Sequence, residues 1–325
     1  MSVEGYFKDV LEEISIKLED KERELIQNKH NSLREKLNEY LDIRDDFLTG
    51  SYARATLIKP KNSDDKFDVD LFIAFSKDDY AEKKLEELRE ITIKALRKIK
   101  DRYSELGITA INENQRRSIG LEFGSNFQID VVPSIEIEKD VNYKIFDKIS
   151  LKPVKSNPKL HNERLKEANE KSGSGTVKRL VPIIKLLKSW KREKCDYLKS
   201  FHLEMLAIKI LGNTSIQSFS QGIAKFFSNI EQYIQEACLK DPANEENIID
   251  EYLDEDDNRD KILSLTEKEK KISERALELE KEEEEEKAIK EWIKIFGGTG
   301  TYKDGSIIIK SNPPKLWQNG INKNF

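Results

Sequence analysis

Gly50-Ser51-Tyr52, then Thr56-Leu57-Ile58-Lys59-Pro60, then Asp68-Val69-Asp70-Leu71-Phe72-Ile73-Ala74-Phe75 is the stretch whose reading decides the fold. A Gly-Ser turn leads into a polar, proline-bearing loop. Two carboxylates then stand at alternate positions at the head of an apolar run. In a strand, residues two apart share a face, so Asp68 and Asp70 project together while Val69 and Leu71 point the other way. Two carboxylates aimed at one place repel unless a cation sits between them, and hard oxygen ligands suit Mg²⁺. The turn at Gly50 and Ser51 offers backbone N–H groups and a hydroxyl suited to a phosphate.

Working outward, Arg117 to Gly124 and Phe127 to Val132 read as a hairpin turned by Gly124-Ser125-Asn126, with Pro133 ending its second strand. Asp130 stands in that otherwise apolar second strand, pointing with Gln128 and Val132. A lone buried carboxylate is costly. If this strand lies beside residues 67–75, Asp68, Asp70 and Asp130 meet at one place, and the cost has a chemical purpose. Taken alone, an edge or exposed position would explain Asp130 equally well.

On either side the period is helical. Residues 3 to about 48 carry Phe7, Val10, Leu11, Ile14, Leu18, Leu25, Leu33, Leu37 and Leu41 at three- and four-residue steps, which predicts one long helix or two. Residues 79–103 repeat the pattern. Lys152 to Ser200 holds 14 Lys/Arg against 5 Asp/Glu in a chain of net charge -5. Much of it reads as an amphipathic helix over about 176–194. Val177, Leu180, Val181, Ile184, Leu187 and Trp190 mark its buried face, and Pro182 falls in its first turns. Most lysines on such a helix are merely solvated, but Lys185 and Lys188 are candidates to meet a triphosphate. Ser200 reads as the N-cap of a helix over 201–211 that Gly212 ends. A further helix is expected over 216–238, and a long one over 264–294 that includes Glu282 to Glu286. The acidic run Glu282 to Glu286 reads as a solvated helix face, with an acidic partner-binding surface over 241–286 as the alternative.

Composition narrows the class. Charged and hydrophobic residues each make up 37% of the 325 residues, which suits a helix-rich protein. No apolar run approaches the roughly 20 residues needed to span a bilayer, and the N-terminus lacks a secretory pattern. Cys195 and Cys238 have no Cys/His partners at metal spacing, so a cytoplasmic setting without structural zinc is expected. A net negative chain is not expected to hold a stable nucleic-acid partner, although a local basic cleft is compatible with it.

Gly50-Ser51, Asp68-x-Asp70 and Asp130 together resemble the signature of polymerase-beta-like nucleotidyltransferases. The fuller wording, Gly50-Ser51-Tyr52-x-Arg54-x-Thr56 followed by Phe67-Asp68-Val69-Asp70-Leu71, resembles the bacterial CD-NTases, relatives of cyclic GMP-AMP synthase and oligoadenylate synthase. Leu186-Leu187-Lys188-Ser189-Trp190 is similar to their lysine-bearing spine helix. Lys199-Ser200-Phe201-His202 resembles their Lys-Ser-aromatic-His segment, and Ala288 to Gly297 resembles their closing helix. The resemblance covers most of residues 1–300.

It implies an α+β fold, a polymerase-beta-like nucleotidyltransferase sheet core joined to a helical domain, bilobal with a central cleft. Residues 1–150 would be the core with an N-terminal spine helix, 151–300 the helical domain, and 301–325 an irregular tail. It implies that Asp68, Asp70 and Asp130 hold two Mg²⁺ ions, with Mn²⁺ as a substitute. Gly50 and Ser51 would hold the donor phosphates. Lys188, with Lys185, and Ser200 would clamp the triphosphate, Phe201 would stack on the base, and His202 would be structural. The implied activity joins NTPs, ATP among them, into a cyclic second messenger of anti-phage signalling, in enzymes that can need an activating protein partner. Two other readings stand beside it: a transferase making linear oligonucleotides or modifying RNA or protein, and an inactive nucleotide-binding scaffold.

Overall fold

The computed structural model describes residues 1–16, 20–62, 66–77, 84–124, 126–173, 177–235, 239–242, 244–255 and 257–297. The tail expected over 301–325 lies outside them, as do Ser125 of the hairpin turn and Cys238.

The first half builds a sheet. In chain order it holds α1 (Val3–Ile14), α2 (Asp20–Tyr40), β1 (Ile43–Thr49), the one-turn α3 (Gly50–Ala53), β2 (Phe67–Ser76), α4 (Leu85–Arg102), β3 (Ala110–Asn112), β4 (Ile119–Glu122), β5 (Phe127–Glu138), β6 (Asn142–Asp147) and β7 (Lys152–Ser156). The strands run in the order β1-β2-β5-β4-β3, with β6 joining β5 and β7 joining β6. β2 and β5 are parallel, and the other pairs are antiparallel. Strand alternation sorts the side chains of β2. Val69, Leu71, Ile73 and Phe75 are buried in one cluster with Leu33 and Leu37 of α2 and Leu96 and Ile99 of α4. Phe72 and Ala74 face the other way, into a smaller cluster with Tyr143 and Ile145. Asp68 and Asp70 lead that second face.

The second half is helical: α5 (Pro158–Lys171), α6 (Leu180–Lys194), α7 (Ser200–Leu211), α8 (Phe219–Asn229), α9 (Glu231–Ile234), a small hairpin of β8 (Lys240–Asp241) and β9 (Asn244–Ile248), a 3₁₀ turn at Glu251–Asp254, α10 (Asn258–Lys281) and α11 (Glu285–Phe296). Its core is continuous through Leu186, Leu187 and Trp190 of α6, Leu203 and Leu206 of α7, and Trp292 of α11. Although first in sequence, α1 packs here. Phe7 meets the rings of Trp292, Phe296 and Phe219 at 5.2, 5.8 and 6.0 Å. Each such pair adds about 0.5–1.5 kcal/mol beyond its buried area.

Several expected boundaries move. The helical reading of residues 3 to about 48 gives way to two helices and then β1. That strand carries Arg44, Asp45 and Asp46, whose charges hide its period. Each finds a partner: Arg44 pairs with Glu136 at 2.7 Å, Lys159 with Asp45 at 2.7 Å, and Arg34 with Asp46. Pro133 does not end its strand. It lies inside β5, opposite Ile73 of β2, at the gap on the other side between the β4 partners of 128–131 and the β6 partners from Ser134 onward, where a missing N–H interrupts no ladder.

The basic helix begins at Leu180, not near 176, so Val177 is half exposed instead of buried. Ser200 is the first residue of α7 and Lys199 the cap. The helix expected over 216–238 is the pair α8 and α9. It starts where the Ser218 hydroxyl accepts from Gln221 N at 3.2 Å. The long acidic helix is broken into α10 and α11, with Glu283 at φ +61° in the turn between them. No Gly or Pro signals that turn. It is held from the packing side, where Trp292 Nε1 donates to Glu280 Oε1 at 2.9 Å.

Candidate active site

The parallel pairing of β2 with β5 sets Asp70 directly opposite Asp130, and Asp68 opposite Gln128. Beyond them, β4 places Gly120 opposite Asp130, and β1 places Thr49 opposite Asp70. The three carboxylates therefore sit at the same ends of two neighbouring strands. α3 lies against them at Gly50, where φ is +71°, a conformation open to glycine at little cost. A Cβ built at Gly50 would stand 1.7 Å from Asp70 Oδ2. Only glycine lets the turn carrying Ser51 approach the carboxylate this closely.

Burial raises all three groups, and carboxylate repulsion adds to it at Asp70 and Asp130. Burial pushes Asp70 up to about 7, reinforced by the charges of Asp130 and Asp68 and partly opposed by Arg54. Burial followed by the Asp68 charge pushes Asp130 up to about 6, against the hydrogen bond from Gln115. Burial raises Asp68 as well, against its bond from Gln128. Such a set takes up a proton or a cation readily. Its donors are all carboxylate oxygens, the chemistry that suits Mg²⁺ or Mn²⁺. The residues fit a divalent ion chemically. In this geometry, among the described residues, no group of three or more His, Cys, Asp or Glu side chains converges closely enough to hold a metal ion.

Two amides hold the carboxylates where they are. Gln128 Nε2 donates to Asp68 Oδ1 at 2.7 Å and to Asp130 Oδ1 at 3.2 Å. Gln115 Nε2 donates to Asp130 Oδ1 at 3.1 Å, and its own Oε1 accepts from the Ser118 hydroxyl at 2.8 Å. Buried Arg89 of α4 pins that loop by donating to Ser118 O at 2.9 Å and Glu113 O at 2.6 Å. The role of Gln115, Ser118 and Arg89 is not visible in the sequence, since Asp130 and Arg89 come from elements separate from the loop that holds Gln115 and Ser118.

The helical half meets the sheet at Glu204 of α7. Arg54 Nε donates to Glu204 Oε2 at 2.8 Å, Thr56 Oγ1 to Glu204 Oε1 at 2.7 Å, and Lys188 Nζ to Glu204 Oε1 at 3.1 Å. Burial alone would raise this carboxyl, but Arg54, Lys188 and Thr56 outweigh it and hold it below its usual range. Lys188 is thus buried in a network. Lys185, one turn earlier, is half-buried and has no ion-pair partner among the described residues. Burial and then the nearby Lys188 charge lower it. Phe201 is half-buried, with the Arg54 guanidinium 5.8 Å from its ring and His161 edge-on at 5.0 Å. Ser200 opens the same helix beside it. His202 is fully buried and bonds Tyr252 Oη through Nδ1 at 2.9 Å. Asp68, Asp70, Asp130, Gly50 and Ser51 are therefore grouped on the sheet side. Lys185, Lys188, Ser200 and Phe201 lie on α6 and α7, and the Arg54–Glu204 contact links the groups.

The profile of the family described as "Second Messenger Oligonucleotide or Dinucleotide Synthetase domain" (SMODS) matches residues 1–169. The chain is 27% identical over 214 residues to the CBASS oligonucleotide cyclase CdnC of Escherichia coli strain KTE188, and that match spans 65% of this chain and 64% of the relative's length. Among solved structures, E. coli MS115-1 CdnC with ATP superposes with a TM-score of 0.69 at 19% identity, covering 91% of this chain and 98% of that one. The CdnC:HORMA complex from the same strain gives 0.67 at 20% identity, covering 90% and 96%. These likenesses show a shared fold, a central sheet with helices in the polymerase-beta-like arrangement. With more than half of its length matched by the family profile, the chain belongs to the Second Messenger Oligonucleotide or Dinucleotide Synthetase family.

Proposed function

We propose that this chain joins nucleoside triphosphates through phosphodiester bonds and closes the product into a ring, releasing pyrophosphate. The observation that carries the reading is the register of Asp70 opposite Asp130, with Asp68 on the same face and Gly50 packed onto Asp70. Asp68, Asp70 and Asp130 would hold Mg²⁺ or Mn²⁺, and the bound metal would activate an acceptor hydroxyl and neutralise the triphosphate. Asp130, held at its strand end by Gln115, would be the carboxylate nearest the attacking hydroxyl and would help take its proton. Gly50 and Ser51 hold the donor phosphates at the start of α3. Lys185 and Lys188 clamp the triphosphate from the helical side, with Lys185 in no ion pair among the described residues and Lys188 oriented by Glu204. Ser200 adds a hydroxyl, and the exposed face of Phe201 stacks on a base.

ATP is proposed among the substrates, supported by the ATP complex of E. coli CdnC. An activating protein partner is proposed on the same footing, from CdnC's complex with a HORMA protein. The setting proposed is anti-phage signalling in the cytoplasm, and among the described residues no helix is long and apolar enough to cross a membrane. The proposed division is a core over 1–150 and a helical closing domain over 151–300, adjusted in that β7 (Lys152–Ser156) joins the sheet and α1 packs with the helices. Incubation with Mg²⁺ and the four NTPs tests it: the product should resist phosphatase, having no free 5′ or 3′ phosphate. A linear ladder, or label transferred to RNA or protein, would overturn it.

A further inference from the structure

Gln128 bridges two of the three carboxylates. Its Nε2 reaches Asp68 Oδ1 at 2.7 Å and Asp130 Oδ1 at 3.2 Å. Both partners only accept, so only the NH₂ end of the amide can serve them. The pairing is built into the sheet: Gln128 is opposite Asp68 in the β2–β5 register and two residues before Asp130 on the same face. The amide therefore engages Asp68 Oδ1 and Asp130 Oδ1, two of the carboxylate oxygens that would be needed to hold a divalent ion between these residues. An NH₂ group cannot ligate a cation, and its positive hydrogens repel one. Gln128 Nε2 reaches both oxygens and so stands where a cation shared by them would stand, whereas Gln115 reaches Asp130 Oδ1 alone and leaves that place open.

We propose that Gln128 competes with the divalent cation: its amide holds Asp68 and Asp130 together, and would have to give up both oxygens for these carboxylates to ligate an ion. Two features favour displacement of this amide over its neighbour. Gln115 is locked by the Ser118 hydroxyl on its Oε1, in a loop stapled by Arg89. Gln128 has no second anchor among the described residues, so it swings away on its own torsions while Gln115 keeps Asp130 oriented. The proposal rests on the reading of these carboxylates as a metal site. It adds that a neutral side chain sets the site's affinity and keeps the carboxylates from flying apart.

The test is Mn²⁺ titration followed by electron paramagnetic resonance on the full chain, without nucleotide, for wild type, Gln128→Ala and Gln128→Met. Methionine keeps the volume but cannot donate, and stands in if the alanine variant folds poorly. Removing the competing bonds should tighten Mn²⁺ binding by roughly five- to tenfold and lower the melting temperature without metal by a few degrees. In wild type, the Gln128 side-chain NH₂ resonance, assigned by its loss in the variants, should shift on adding Mg²⁺. Equal or weaker Mn²⁺ affinity in both variants, or an unmoved resonance at saturating Mg²⁺, overturns the proposal. Absence of Mn²⁺ binding to wild type, or binding that survives Asp68→Asn with Asp70→Asn, overturns the metal reading beneath it and the proposal with it.

Discussion

Arg54 and Glu204, 150 residues apart in sequence, are joined by an Arg54 Nε to Glu204 Oε2 hydrogen bond of 2.8 Å between the sheet and α7. Both side chains are almost fully buried. Glu204 also receives Thr56 and Lys188, and Arg54 opposes the rise of the Asp70 carboxyl. One buried acid thus ties a lysine of the helical half to the carboxylates of the sheet. Glu204→Ala leaves two buried cations unpaired and should cost about 3–5 kcal/mol of stability. Urea unfolding measures this, and Glu204→Gln should lose less because it still accepts from Thr56.

Gly50→Ala asks for a side chain where Asp70 already is. The left-handed backbone adds roughly 1 kcal/mol, and the Cβ overlap with Asp70 Oδ2 forces the carboxylate aside. A displacement on the order of 1 Å at reacting groups costs about 10²-fold in rate. Turnover should fall by at least that factor, while the melting temperature drops by only a few degrees.

His202 makes the fold acid-sensitive. Burial first, then the Arg259 and Lys199 charges, push its pKa down to about 3, against about 6.5 in the unfolded chain. Below about pH 6.5 the unfolded chain binds a proton that the native ring refuses, so stability falls with pH from there toward pH 3. At pH 5 the penalty is about 2 kcal/mol. His202→Gln should lose less stability between pH 7 and pH 5 than wild type does. Parallel slopes in urea melts would contradict this account of the ring.

Phe201 offers an aromatic face beside Arg54 while His161 backs its edge. Phe201→Ala should weaken nucleotide binding by about 1–3 kcal/mol, the usual worth of a base–aromatic stack, and Phe201→Tyr should restore it. Equilibrium binding of a non-hydrolysable ATP analogue reads this separately from chemistry.

What the sequence disclosed, and what it withheld, has a physical pattern. Asp68, Asp70 and Asp130 stood out because a carboxylate in an apolar strand has few structural reasons to be there. The period of two then put them on the right face. Gln115 and Gln128 gave no such signal, since an amide is at home on any surface. Glu204, two residues beyond His202 in the helix singled out for Ser200 and Phe201, gave no signal, because its partners Arg54 and Thr56 lie in another element. β1 was hidden by charges that the fold neutralises with Lys159, Glu136 and Arg34. The break at Glu282–Glu284 was hidden because tertiary packing, not Gly or Pro, makes the turn.

The most direct test of the central claim is the stoichiometry of pyrophosphate release. Closing a ring forms one phosphodiester bond per nucleotide, so the cyclic reading predicts one pyrophosphate per NTP incorporated and no triphosphate left on the product. Asp70→Asn should abolish the release while retaining the wild-type fold. Less than one pyrophosphate per nucleotide, with a triphosphate end persisting on each product, or full release by Asp70→Asn, would contradict it.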